Sequence, residues 1–241
     1  MAAVEPSSGG DASLTKTVAD AIIQDRAAQK AEEIEGRPAA SSPIQKRGRP
    51  PRKFNPRRLP DRWEAYSPCG KVIADTRLIA FKTPLKPDFF QGTELEPFGI
   101  DDLVEAMEKQ NQKLGLVIDL TATTRYYDPA ELEQYGIKYK KIFCPGRDFE
   151  ALKDLGDEFM DTIKEYFMEN LDNNSLIGIH CTHGLNRTGY LVCRYMHECL
   201  GWSVDESVNT FNAARGHEIE RKEYITALQL KCEYHNGSYR C

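Results

Sequence analysis

His180-Cys181-Thr182-His183-Gly184-Leu185-Asn186-Arg187-Thr188-Gly189 holds a cysteine and an arginine on either side of five residues, directly after an apolar run. That run, Ser175-Leu176-Ile177-Gly178-Ile179, is short, β-branched and bounded by Asp172-Asn173-Asn174, which predicts a buried strand. From Arg187 to Leu200 the apolar residues fall at Tyr190, Leu191, Tyr195 and Met196, a spacing that suits a helix. Strand, loop and helix in this order place the loop's N–H groups at a helix N-terminus, where unsatisfied donors and the helix dipole favour an anion. The same field acts on Cys181. An ordinary thiol near pKa ~8.5 falls to roughly 3.5–7.5 at a helix N-terminus beside a cation, so Cys181 reads as a standing thiolate. Arg187 offers a planar fork of donors for the equatorial oxygens of a phosphoryl group in transfer. Thr188 is expected to hydrogen-bond the sulfur and help it leave when water attacks a phosphocysteine. Gly184 and Gly189 permit the tight turn and a close backbone approach to an anion. A buried structural cysteine followed by an unrelated arginine would leave most of these ten positions without a reason.

The 241 residues exceed the usual ~100–200 of one domain, which predicts one catalytic domain plus a tail. No apolar run reaches the ~18 residues of a membrane span, and Met1-Ala2-Ala3-Val4-Glu5-Pro6 lacks the pattern of a signal peptide, so a soluble, unsecreted protein is expected. The seven cysteines, at 69, 144, 181, 193, 199, 232 and 241, form an odd set without a Cys-x-x-Cys pair. Neither a disulfide framework nor a zinc site is indicated, and no metal or other cofactor is expected. An active Cys181 requires a reducing compartment.

Residues 1–58 are rich in Ser, Gly, Ala and Pro and hold no aromatic before Phe54, so they read as a disordered tail. Within it, Leu14 to Ile34 has the composition of a transient or partner-bound helix. A basic block begins at Lys46-Arg47-Gly48-Arg49-Pro50-Pro51-Arg52-Lys53 and ends near Arg62. It carries eight Lys or Arg against one Asp in a chain whose formal net charge is −5. That asymmetry suits a nuclear import signal or a salt-dependent contact with nucleic-acid phosphates, against a solvated linker. Arg47-Gly48-Arg49-Pro50 also resembles an AT-hook core, which Pro51 interrupts.

The catalytic domain is placed at 59–235, with 236–241 as a C-terminal tail. Thr76 to Phe81, Leu114 to Leu120 and Ile137 to Phe143 read as strands besides the one before Cys181. Ile100 to Gln112, Phe149 to Met168, Val204 to Ala214 and Arg221 to Cys232 read as helices besides the one after it. Strands alternating with helices predict an α/β fold, a central mostly parallel sheet flanked by helices, with the catalytic loop at the carboxyl ends of the strands.

The loop resembles the cysteine-dependent phosphatase superfamily, whose signature is a histidine, a cysteine, five residues, an arginine and a Ser or Thr. It is similar, more narrowly, to the dual-specificity phosphatase branch that acts on RNA 5′ ends, including the triphosphatase domain of metazoan capping enzymes. Leu59-Pro60-Asp61-Arg62-Trp63, residues 76–85, Gly115 to Thr121, Thr124-Arg125-Tyr126-Tyr127, Asn186 to Tyr195 and Arg215-Gly216-His217 carry the same resemblance, which covers roughly 59–232. A capping enzyme also needs a Lys-x-Asp-Gly nucleotidyl-accepting motif, absent from these 241 residues, so a stand-alone phosphatase is expected. The resemblance implies removal of the γ and then the β phosphate from RNA with a 5′-triphosphate or 5′-diphosphate end, without a metal. It further implies ribonucleoprotein partners, no membrane, a monomer, and a nuclear location with a cytoplasmic share.

In that cycle Cys181 attacks the terminal phosphorus, the shortened RNA leaves, and water hydrolyses the phosphocysteine. Thr182, His183, Gly184, Leu185 and Asn186 form the cradle, His183 and Asn186 by shaping it. Arg125 and Arg221 are candidates for the outer phosphates, Arg221 on the strength of the resemblance, against a surface salt bridge. Asp148, after Pro145-Gly146-Arg147, is either the catalytic acid or a solvated loop charge. Asp119 either holds the loop or donates a proton. Tyr126 and Tyr127 stack on the first base, line the wall or pack in the core. Two rival functions stand beside the RNA reading: a dual-specificity protein tyrosine/serine/threonine phosphatase, and an RNA-binding scaffold with a vestigial loop.

Overall fold

A computed structural model describes residues 57–145 and 149–234. Five strands, β1 Cys69–Val72, β2 Leu78–Lys82, β3 Leu114–Asp119, β4 Lys138–Lys141 and β5 Leu176–Cys181, form one sheet in the order β1-β2-β5-β3-β4. β1 runs antiparallel to β2, and every other pair is parallel. β2 and β5 are buried along their whole length, as parallel strands covered on both faces must be. The helices are α1 Ile100–Lys109, α2 Ala130–Glu133, α3 Phe149–Asp154, α4 Gly156–Glu169, α5 Asn186–Leu200, α6 Val204–Arg215 and α7 Lys222–Tyr234.

The period of two along each strand sorts its side chains into two cores. Leu78, Ala80, Ile118, Ile177, Ile179 and Cys181 face a cluster built with Phe159, Ile163, Leu191 and Phe211 of α4, α5 and α6. Ile79, Phe81, Val117 and Leu176 face a second cluster with Trp63, Tyr127 and the α1 residues Ile100, Leu103 and Met107. The mostly parallel α/β sheet matches the reading of the sequence, with corrections at particular elements.

β1 was not foreseen, because Cys-Gly-Lys-Val has no apolar run; it exists as an edge strand through its pairing with β2. β5 extends two residues beyond Ile179, which makes Cys181 its last residue. The helix expected over Phe149 to Met168 is broken at Leu155 into α3 and α4. The break houses Arg194 of α5, whose Nη1 donates to the Lys153 carbonyl at 2.8 Å and whose Nη2 bonds Asp157 at 2.9 Å. A Cβ at Gly156 would strike that guanidinium, so a glycine starts the second helix.

Candidate active site

Three parallel strands deliver their last residues to one edge of the sheet. Lys82 of β2 lies opposite Cys181, and Asp119 of β3 lies opposite His180, so the central strand β5 ends at the carboxyl edge with the nucleophile candidate on it. Residues 182–185 then turn directly into α5. Leu185 is fully buried and pins the turn from below. Gly184 has φ +66, and a Cβ there would collide with the Phe81 carbonyl, so only glycine fits.

Cys181 is buried. Burial pushes its thiol up, but the Arg187 guanidinium, the hydroxyl and N–H of Thr188 and the N–H of His183 outweigh it and bring the thiol down to about 7. The Thr188 side chain is fully buried beside the sulfur, and its hydroxyl is one of the groups that lower the thiol. Arg187 is aimed by acceptors far away in sequence. Its Nη1 donates to the carbonyls of Leu120 and Cys144, both at 2.9 Å, and its Nη2 to the Thr182 hydroxyl at 3.0 Å. Three of its five N–H donors are thus spent on orientation, and two remain for a ligand.

The loop is also held from outside. Arg215, at the end of α6, is buried and donates to the Gly184 carbonyl at 3.2 Å, the His183 carbonyl at 3.0 Å and the Ser67 carbonyl at 2.7 Å. Burial, with no carboxylate to offset it, pulls its guanidinium down to about 10. The His183 ring bonds the Asp61 carbonyl through Nε2 at 2.7 Å and lies 4.8 Å from the Tyr66 ring. Lys82, lowered to about 8 by burial, donates to the Tyr66 carbonyl at 3.0 Å and lies 3.5 Å from the Trp63 ring centre. The segment 58–67 is thereby strapped against the catalytic loop. Arg215, Lys82 and this strap fall in stretches that carry the family resemblance, but the sequence assigned them no function at the site. The signal that could have found them is a charge in an otherwise apolar pattern, such as Lys82 after Leu-Ile-Ala-Phe.

Asp119 is buried and forms an ion pair with Lys141 at 2.9 Å. It accepts from the Thr121 N–H at 2.8 Å and the Tyr139 hydroxyl at 3.0 Å. Burial opposes ionisation, yet the His180 ring 3.8 Å away, Lys141 and the Thr121 N–H hold the carboxyl below the usual range. The ion pair with Lys141 and the bond from the Thr121 N–H suit the holding role of the two open to Asp119. His180, kept low by burial, bonds the Tyr127 hydroxyl at 2.7 Å and the Cys181 carbonyl at 3.1 Å. Tyr127 is therefore a core residue rather than a base-stacking one.

Arg125 lies with its guanidinium 4.7 Å from the Tyr126 ring centre and 5.2 Å from that of Phe89, and donates to the Arg58 carbonyl at 3.2 Å. Asn186 accepts from the Arg221 N–H at 2.9 Å, which fixes the backbone that carries Arg221 beside the start of α5. Arg221 lies 5.8 Å from the Tyr224 ring centre. Asp148 lies outside the described residues.

A buried, low-pKa sulfur at the end of a strand, ringed by N–H donors and closed by an oriented guanidinium, is equipped to attack phosphorus and hold its oxygens. The family model for the dual specificity phosphatase catalytic domain matches residues 100–233. The chain is 43% identical over 175 residues to an RNA/RNP complex-1-interacting phosphatase homolog of Caenorhabditis elegans, covering 71% of this chain and 75% of that protein. It is 45% identical to a tyrosine-protein phosphatase of Autographa californica nuclear polyhedrosis virus, covering 71% of this chain and 99% of that one. It is 44% identical to the human RNA/RNP complex-1-interacting phosphatase, covering 71% of this chain and 52% of that protein. A crystal structure of a mutant form of Tk-PTP superposes with a TM-score of 0.50 at 19% identity, covering 69% of this chain and 95% of that one, a likeness of fold.

The chain belongs to the dual specificity phosphatase family and is a cysteine-dependent phosphatase of that type. Within the family it resembles the atypical branch named for interaction with RNA/RNP complex-1.

Proposed function

We propose that this phosphatase removes the γ and then the β phosphate from RNA 5′ ends. The Cys181 thiolate bonds to the terminal phosphorus as the P–O bond to the next phosphate breaks, and the shortened RNA leaves with the electron pair. Water then displaces the sulfur, giving inorganic phosphate and regenerating the thiolate, which the Thr188 hydroxyl stabilises. Arg187 spans the equatorial oxygens through both steps. Arg125 and Arg221 serve the outer phosphates.

The observation that carries this reading is the likeness, over 71% of the chain, to a phosphatase named for interaction with an RNA/RNP complex. The state of Asp119 supports it. Among the described residues the carboxylate beside the loop is held ionised, and a departing phosphate is far less basic than a phenolate or an alkoxide, so it asks less of an acid. The basic block from Lys46 to Arg62 supports nuclear import or contact with RNA phosphates, and ribonucleoproteins are the partners that fit it. No metal enters the cycle.

In EDTA, the protein should release labelled phosphate from triphosphate-ended RNA much faster than from a phosphotyrosine peptide. A second reading, dual-specificity action on phosphoproteins, is favoured by the 45% identity to a viral tyrosine-protein phosphatase along 99% of that chain. Faster turnover of the peptide would establish that reading in place of the first.

A further inference from the structure

Six large apolar side chains stand in solvent among the described residues: Tyr135, Phe143, Met168, Leu171, Leu200 and Leu230. Tyr135, Met168 and Leu171 precede the amino ends of β4 and β5, and Leu200 closes α5, ~20 Å of helix away from the catalytic loop. Leu230 lies late in α7. Phe143 alone follows the carboxyl end of a parallel strand, two residues past the last residue of β4.

Its neighbour in the chain is Cys144, whose carbonyl accepts from Arg187 at 2.9 Å. One peptide unit, ~3.8 Å between Cα atoms, therefore separates Phe143 from a residue that aims the phosphate-gripping guanidinium. Phe143 is 57% exposed, and the Lys141 ammonium lies 4.9 Å from its ring centre. That ammonium is itself fixed by Asp119 at 2.9 Å, the Thr121 hydroxyl at 2.7 Å and the Thr123 carbonyl at 2.9 Å. The attraction of a cation for the ring holds an aromatic at the rim, where water would otherwise disfavour so large an apolar surface.

We propose that Phe143 is the stacking platform for the first base of the RNA, a subsite of the 5′-end activity on whose reading it rests. With the terminal phosphate under Arg187, the remaining phosphates and the ribose lead out toward the rim and bring the first base to the ring. Stacking on one aromatic face tolerates any base, which suits an enzyme that meets different first nucleotides. It also separates an RNA end from inorganic triphosphate, which has nothing to stack.

The test crosses a change in the ring with a change in the base. Triphosphate-ended RNAs of ten nucleotides, one with guanine and one abasic at the first position, are given to the wild-type chain and to Phe143→Ala and Phe143→Trp. In the wild type, loss of the base should lower kcat/KM about tenfold. Phe143→Ala should lose about the same factor on the guanine RNA and show little further loss on the abasic one, and Phe143→Trp should restore the preference. An equal cost of base removal in wild type and Phe143→Ala, which is the same result as an equal loss by Phe143→Ala on both RNAs, overturns the platform and marks any loss as a structural effect passed through Cys144. If Phe143→Ala slows only a phosphotyrosine peptide, the ring belongs to a peptide site. If the wild type releases no phosphate from any RNA, the 5′-end reading fails and the platform with it, a result distinct from the other two.

Discussion

Cys181 and Cys144 lie in the same core cluster, both buried and both in the field of Arg187, yet their thiols move in opposite directions. Burial pushes Cys144 up to about 12, and Arg187 only softens that rise. Cys181 meets the same penalty and still falls to about 7, because the N–H groups of His183 and Thr188 and the Thr188 hydroxyl add to the guanidinium. Cys193, about two turns into α5, has only its burial and is raised further. A nearby cation is therefore not enough to make a buried thiolate. The donors that converge at a strand-to-helix turn make the difference.

Removing the nucleophile is the severest way to break the contrast. Cys181→Ser should abolish phosphate release from every substrate, by on the order of 10⁴-fold or more, in a single-turnover assay. Cys193→Ala should keep its turnover and lose about 1 kcal/mol in denaturant melts, the usual cost of a core truncation.

Arg187→Lys comes next. It keeps the charge and loses the fork, so kcat should fall by about 10²–10³-fold while the Cys181 thiol still titrates below its ordinary value. A variant that retains near wild-type turnover would show that charge alone suffices.

Thr188→Val gives the smallest effect and the sharpest test of the donors. Loss of one hydrogen bond to the sulfur anion should move the titration of Cys181 up by about one pH unit, read from the rate of alkylation against pH. The wild-type profile should have its midpoint near 7, with activity falling below it as the sulfur takes a proton. The same depression has a sign for stability. A thiol that ionises below its ordinary value of 9 stabilises the fold above that pH and loses the contribution as pH falls through about 7. Melting temperatures of wild type and Cys181→Ser should therefore diverge toward pH 9.

The catalytic loop was legible because its parts act over ten consecutive residues. The spacing of Cys181 and Arg187, the apolar run before them and the glycine at 184 each have a local consequence. The parallel sheet was legible for a related reason: β2, β3 and β5 are continuous apolar runs, which only burial on both faces explains. β1 escaped notice because an edge strand needs its partner more than it needs its own residues. The broken helix escaped because the side chain that breaks it, Arg194, comes 38 residues after Gly156. Asp119 was visible as the acid at the end of a strand. Its charge state was not, since Lys141 and Tyr139 sit on the neighbouring strand β4 and only the register of β3 with β4 brings them to it.

By itself the sequence determined the chemistry at position 181: a thiol, a guanidinium and a ring of amide donors drawn together by covalent proximity and the geometry of one turn. Only the tertiary structure decided where that chemistry points. The carbonyls of Leu120 and Cys144 aim Arg187, Arg215 and the segment 58–67 brace the loop, and Lys141 steadies Phe143 at the rim. Hydrogen bonds and ion pairs between residues tens of positions apart follow from how the layers pack, and no local pattern encodes them.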